Sequence, residues 1–281
     1  MSIPVRMDLT APRPWWPLGD MEQMREALQY WIANNWDTSI TVGAWWDRLA
    51  NAGLAVPTWN RSHGGLAATT RVQQVVEEEL AAAGTIAPPL AGAGVRLVGP
   101  ILRQFASPEQ AAEVLPALLT GQRLWTVLLN EPGSDDPKDT ACTATFDWKY
   151  LTVNGVKTCE HDGATHAIVL TRSADLPARK GLTCLLLDLA DEGITSEPGI
   201  IRFEDARFTP ERVLGERDNG WDVVKTILPY LERSLAGRIQ RGLVNVEPGL
   251  VAGNLDRTVA DVLANHQQLA APSVDRRAQP D

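Results

Sequence analysis

The 281-residue sequence predicts an α+β protein: an N-terminal all-helical domain, a central small β-barrel domain and a C-terminal helical segment. Three observations carry this reading. Apolar residues recur at helical spacing as far as Gly121. From there to Gly220 short apolar runs alternate with turn residues, and at Gly220 helical spacing resumes. The expected divisions are 1–122, 123–219 and 220–281.

In the first part, Met21, Met24, Leu28 and Trp31 form one helical stripe, and Trp45 to Leu49 is a short second one that Gly53 stops. Val72, Val75, Val76, Leu80 and Ala83 form a third, opened by Thr70 and closed by Gly84, and Val95, Val98, Ile101, Leu102 and Phe105 a fourth. Ser107-Pro108-Glu109-Gln110 starts a fifth: the Ser caps, the Pro needs no partner for a missing N–H, and Gln110 can reach back as in a capping box. Strand-like runs follow at Leu124 to Leu129, Tyr150 to Val153, Val156 to Thr158, Ala167 to Thr171, Leu182 to Leu189 and Ile200 to Phe208. Asn154-Gly155 between two of them is a strong hairpin signal. Short strands at this spacing suggest a compact barrel or sandwich. From Gly220, Trp221, Val224, Leu228, Leu231 and Leu235 share one helix face, with Pro229 a kink site, and Asp256 to Leu269 is a last amphipathic stretch before a polar tail.

Composition narrows the function. A net charge of −9 with no basic run argues against a nucleic-acid partner, which clustered Lys and Arg would have to hold. No apolar stretch is long enough for a membrane span, and the proline-rich first twenty residues lack the apolar centre of a signal peptide, so a cytoplasmic protein is expected. The three cysteines form no C-x-x-C pair, and His161 and His166 lack a third ligand nearby, so neither a disulfide framework nor a metal site is expected.

A series of motifs in fixed order is more specific. Leu49-Ala50-Asn51-Ala52-Gly53-Leu54-Ala55-Val56-Pro57 precedes His63-Gly64-Gly65, and Glu78-Glu79-Leu80 leads to Gly84. Ser107-Pro108-Glu109-Gln110 leads to Leu115-Pro116-Ala117-Leu118-Leu119 and Gly121. Asn130-Glu131-Pro132-Gly133-Ser134-Asp135, Val153-Asn154-Gly155-Val156-Lys157, and Val213-Leu214-Gly215 with Gly220-Trp221 complete the series. From about Asp20 to about Gly242 the chain thereby resembles the acyl-CoA dehydrogenases, bacterial dehydrogenase subunits among them.

The resemblance implies FAD, an acyl-CoA thioester substrate dehydrogenated across its α,β-bond, and an electron-transfer flavoprotein as electron acceptor. It places Glu232, in Leu231-Glu232-Arg233, where a subset of the family carries the base that takes the α-proton; by spacing alone the same residue suits a solvent-facing helix rim. It places Leu129, Asn130, Gly133 and Ser134 in the flavin loop, with Asn130 standing where the family has a Thr. On the hairpin return, Cys159 and His161 stand where the family has a Trp against the flavin ring and a Thr that bonds N5. After Gly220 only the first helix of the family's C-terminal bundle is matched, a remnant whose apolar face needs cover. The expected state is therefore a homo- or hetero-oligomer, with a longer dehydrogenase subunit as partner. The alternatives are a self-sufficient dehydrogenase using Glu232, a non-catalytic module binding acyl-CoA or a partner, a truncated pseudoenzyme, and, more distantly, a flavin-dependent monooxygenase of the same fold.

Overall fold

The structure, a computed structural model, describes residues 7–9, 11–89, 94–160, 163–176, 179–235 and 255–270, without the side chains of 231–235 and 265–270. Five helices precede the sheet: α1 (Met21–Asn35), α2 (Val42–Asn51), α3 (Thr70–Ala82), α4 (Gly99–Phe105) and α5 (Pro108–Leu119), with a π-helical turn at Gly94–Val98 leading into α4. Polar caps start them as the sequence directs. Asp20 accepts from the Glu22 and Gln23 amides, Thr41 from Ala44 and Thr69 from Val72, and Ser107 and Gln110 close a reciprocal capping box.

Tryptophan dominates the core of this helical part. Trp45 is fully buried, with Trp31 and Trp36 rings 5.8 and 4.7 Å from it. The polar edges are satisfied: Trp16, Trp45 and Trp46 donate their ring N–H to the carbonyls of Ala52, Ile86 and Ala87. Gly121 makes the close approach possible, because at φ +67° a Cβ there would stand 2.3 Å from the Trp46 ring.

Eight strands follow: β1 (Trp125–Leu128), β2 (Thr143–Phe146), β3 (Leu151–Thr158), β4 (His166–Arg172), β5 (Leu182–Asp188), β6 (Ile194–Glu197), β7 (Ile200–Phe208) and β8 (Val213–Leu214). They form one sheet in the order β6-β7-β3-β2-β4-β5-β8, with β1 pairing in parallel along the same strand β4 that β2 touches at Arg172. No described pairing joins β6 to β8, so the barrel expected from the sequence is not closed. Alternation nevertheless gives the sheet two apolar faces. On β4 and β5, Ile168, Leu170, Cys184 and Leu186 pack towards the helices, while Ala167, Val169, Leu185 and Leu187 meet Ala144, Val153, Phe203 and Ala206 of β2, β3 and β7. Burial on both faces explains why β4 and β5 read as continuous apolar runs rather than alternating ones.

The Asn154-Gly155 hairpin is corrected by the structure. Both residues lie inside one strand, β3, at a bulge where Val153 pairs Ala206 but Gly155 pairs Phe203. The irregularity is stabilised by side chains: Asn154 Oδ1 accepts from the Asp205 amide and Nδ2 donates to Asp205 Oδ1, while Asp205 takes φ +49°. Gly155 is required because its φ is +141° and a Cβ would stand 2.7 Å from the Cys142 Cα. The true hairpin turn is Asp147 to Tyr150, where Asp147 Oδ1 accepts from the Lys149 and Tyr150 amides.

Helix α6 (Gly220–Leu235) returns across the sheet to α4. Its buried face is Val223, Val224 and Ile227, whereas Leu228, expected on the apolar face, is 37% exposed. Gly220 sets this phase. A Cβ there would stand 2.9 Å from the Leu182 backbone, so the helix docks through Gly220 and its i+3, i+4 and i+7 partners. A glycine carries no hydrophobic signal, so counting from Trp221 rotates the face. Helix α7 (Val259–Ala270) settles elsewhere, on the α1–α2 connection: the Val259 and Ala260 amides donate to the Ile40 and Thr38 carbonyls, and Val259 is fully buried. No described helix is long and apolar enough to cross a membrane.

Replacing Gly155 with Ala should lower the urea midpoint by more than 1 kcal/mol equivalent, about the scale of a forced backbone conformation. Gly199→Ala, also at positive φ but with open space around it, should cost less. Equal losses in chemical denaturation would show that crowding against Cys142 is not the cause.

Candidate functional site

Glu79, Gln110 and Gly65, each in one of the sequence motifs, hold the fold. Glu79, nearly buried, accepts from Arg25 and from Gln29 Nε2 at 2.9 Å, clamping α3 to α1. Gln110 completes its capping box and also donates to the Glu211 and Val213 carbonyls at 2.7 and 2.8 Å, tying the helical part to the sheet. Gly65 allows two loop backbones to touch, since a Cβ there would fall 2.1 Å from the Trp59 carbonyl oxygen.

The chemistry-bearing segment is the loop after β1. Glu131 and Ser134 exchange backbone hydrogen bonds of 3.1 and 2.9 Å around Pro132-Gly133, with Gly133 at φ +86°, the Pro-Gly arrangement of a type II turn. Strand β3 holds the start of this loop: the Thr158 amide donates to the Asn130 carbonyl at 3.0 Å, and Lys157 Nζ donates to the Leu129 carbonyl at 3.1 Å and to Glu131 Oε1 at 2.8 Å. Lys157 also donates to Thr140 Oγ1, which in turn donates to Glu131. The amides of Ala141 and Cys142 donate to the same carboxylate at 2.9 Å each.

Burial works against the charge of Glu131, but the hydrogen bonds from Lys157, Thr140 and the two amides outweigh it and hold the carboxyl below its ordinary range. Burial likewise pulls the fully buried Lys157 ammonium below its ordinary value, with Glu131 opposing. Beside them the Cys142 thiol is pushed up to about 12 by desolvation, so it is an inert core group. Cys184, fully buried, is likewise pushed up to about 12.

The structure brings Leu129, Asn130, Gly133 and Ser134 into one loop beside the end of β3. Leu129 is buried, Asn130 and Ser134 are half-buried and Gly133 is exposed with open space around it. Cys159, the next residue along, is 7% exposed, belongs to the apolar sheet interior and donates its amide to the Gly199 carbonyl. His161 lies outside the described residues. Glu232 lies within helix α6, one turn beyond Leu228, and its side chain is outside the described residues. No cluster of three or more His, Cys, Asp or Glu placed for a metal ion occurs among the described residues.

Reasoning from sequence passed over Lys157, Glu131, Thr140 and Arg172. The first two were within reach, since they are the charged members of two of the quoted motifs. His166 is a second omission. It sits on β4 with its ring 5.2 Å from Trp125 and its Nε2 3.5 Å from Asp188 Oδ2. Desolvation lowers its pKa to about 4 against the pull of Asp188, so the ring is neutral at pH 7.

A helical domain packed on a mixed sheet is the fold this chain shares with solved acyl-CoA dehydrogenases. Residues 22–122 match the family model "Acyl-CoA dehydrogenase, N-terminal domain". The chain is 29% identical over 243 residues to acyl-CoA dehydrogenase IpdE1 of Mycobacterium tuberculosis, covering 75% of this chain and 63% of that protein. Its fold aligns with the Tcur3481-Tcur3483 steroid ACAD at a TM-score of 0.57 and 22% identity, covering 82% of this chain and 64% of that one. It also aligns with the ChsE4-ChsE5 complex of Mycobacterium tuberculosis at 0.53 and 20% identity, covering 78% and 61%. Residues 22–122 belong to the acyl-CoA dehydrogenase N-terminal domain family, and the similarity to acyl-CoA dehydrogenases extends over 75% of the chain. The chain spans less than two thirds of the length of these relatives.

The residues present fit a flavin in part. The loop backbone is built and braced, whereas Cys159 is turned into the sheet interior and offers no aromatic face.

The depressed His166 makes an acid-limb prediction. An unfolded His takes up its proton near pH 6.5 and the folded one only near pH 4, so between these values the unfolded state binds more protons and stability falls as pH falls. His166→Gln should flatten the denaturation midpoint across that window. An unchanged slope in urea melts at pH 7, 6 and 5 would rule His166 out as the group responsible.

Proposed function

We propose that this chain is an acyl-CoA dehydrogenase-like subunit that takes part in α,β-dehydrogenation of an acyl-CoA thioester and is completed by a longer dehydrogenase subunit. One observation carries the reading. The flavin-loop scaffold is complete around Lys157 and Glu131, while the strand return presents a buried Cys159 in place of a ring-facing aromatic. A chain of this kind keeps the geometry of a cofactor site but lacks part of its wall.

FAD, when bound, would accept the β-hydride and pass electrons on to an electron-transfer flavoprotein. Leu129, Asn130, Gly133 and Ser134 would hold it through the braced loop, with Cys159 and His161 flanking. Glu232 would take the substrate's α-proton. The helix turn before it ends on exposed Leu228, so apolar cover supplied by a partner would raise its pKa towards working pH. The likeness to the two-subunit ChsE4-ChsE5 complex supports a partner of the same family. The placement of Cys159 favours one second reading, a subunit that binds acyl-CoA or its partner without carrying chemistry itself. A cytoplasmic setting and the domain divisions at 122 and 219 belong to the same proposal.

Co-expression with a longer dehydrogenase subunit decides between these readings. The assembly should carry flavin absorbance and dehydrogenate acyl-CoA, while the isolated chain should hold little FAD. Glu232→Gln should lower the rate by at least about 100-fold, the usual scale for a lost proton-transfer group, with flavin content kept. Full activity in that variant would assign the chemistry to the partner and leave this chain the binding role.

Leu228→Asp should release the chain from its partner, since burying such a side chain contributes on the order of 1.5–3 kcal/mol. Light scattering of the wild-type chain as a stable monomer, unchanged by the partner, would end the two-subunit reading.

A further inference from the structure

We propose that Lys157 is a positioning residue for the cofactor loop: its buried ammonium, paired with Glu131, fixes the Leu129–Ser134 backbone in the conformation that receives the flavin. The inference rests on reading that loop as the flavin loop. It goes further by assigning to an internal ion pair the work that side chains facing the ring no longer do.

Three observations support it. A lysine ammonium has three N–H donors, and here all three are used, on the Leu129 carbonyl, Glu131 Oε1 and Thr140 Oγ1. With no donor left over, Lys157 cannot itself bind a ligand, so its action passes through the loop. Second, β3 grips consecutive carbonyls, Leu129 through the Lys157 side chain and Asn130 through the Thr158 backbone, so position and orientation of the loop entrance are both set. Third, the far side of the pair is anchored. Glu131 accepts from the Ala141 and Cys142 amides, and Arg172 of β4 donates to the Thr140 and Lys138 carbonyls at 3.1 and 2.7 Å. Strand β3 and the segment leading into β2 therefore grip a six-residue loop whose only internal order is one turn around Pro132-Gly133, and Arg172 of β4 holds that segment in turn.

This bracing matters more here than where an aromatic ring backs the flavin. Cys159 contributes no stacking face, so binding must come from backbone groups whose value depends on being held in place. A short Lys–Glu pair, dry on the Lys side, resists loosening because parting the charges leaves the buried ammonium uncompensated.

The test uses the full chain with its co-expressed partner and FAD as the probe. A double variant, Lys157→Met with Glu131→Gln, removes both charges together and avoids stranding one. Ser107→Ala, which weakens a remote helix cap, is the control for general destabilisation. We expect the double variant to speed amide exchange in residues 129–134 and to weaken FAD binding at least tenfold, while exchange in β4 and β5 stays as in the wild type. Ser107→Ala should change neither FAD affinity nor loop exchange. Wild-type loop exchange in the double variant, or a loss of FAD affinity no greater than in the control, overturns the proposal. If the wild-type assembly takes up no FAD at this chain's loop, the flavin reading itself fails and the proposal falls with it. If the wild type binds FAD and the double variant binds it equally well, only the positioning role fails.

Discussion

The buried charge on Lys157 is the constraint around which the sheet is arranged. An ammonium at zero exposure is tolerable only if its donors are met and its charge is balanced, and its partners come from two stretches of chain outside β3. Glu131 and the Leu129 carbonyl come from the loop after β1, and Thr140 from the approach to β2. Satisfying one side chain therefore fixes how three segments meet. The bulge at Gly155 belongs to the same arrangement: it brings β3 within van der Waals distance of Cys142, whose amide is one of the donors to Glu131.

The second organising feature is the shared core between helices and sheet. Ile168, Leu170, Cys184 and Leu186 supply one side, and Leu97, Ile101, Leu115, Val223 and Ile227 the other, in a single cluster. Helix α6 is thus packed at its start and less so further along, where Leu228 meets solvent. That gradient follows from Gly220, which brings the first turn hard against β5. The same docking orients the helix that carries Glu232.

Much of the fold was legible because helices announce themselves locally. The Ser107 capping box and the stripes around Leu28 and Val76 are short-range patterns, and they formed where the spacing put them. The errors share a cause of another kind. Asn154-Gly155 reads as a turn because it permits φ > 0, but a bulge makes the same demand, and only pairing with β7 decides between the two. The α6 face was misjudged because its anchor is a glycine, and closure of the sheet is a property of edges far apart in sequence. Strands β2, β6 and β8 were missed because four polar-rich residues, or two, carry too little signal.

The candidate site divides along the same line. Its loop was legible as a motif because proline and glycine impose a local turn geometry that the sequence itself announces. Its electrostatics were not, because Lys157 and Glu131 are ordinary letters in a sequence and become a buried pair only through the sheet. The motif positions that proved structural, Glu79, Gln110 and Gly65, also differ from those that changed. Substituting one of them would expose an unpaired donor, leave an orphaned cap or force two backbones apart. Cys159 instead could replace an aromatic at little structural cost, because a small thiol sits comfortably in the sheet interior. The departure at Cys159 leaves the sheet scaffold intact.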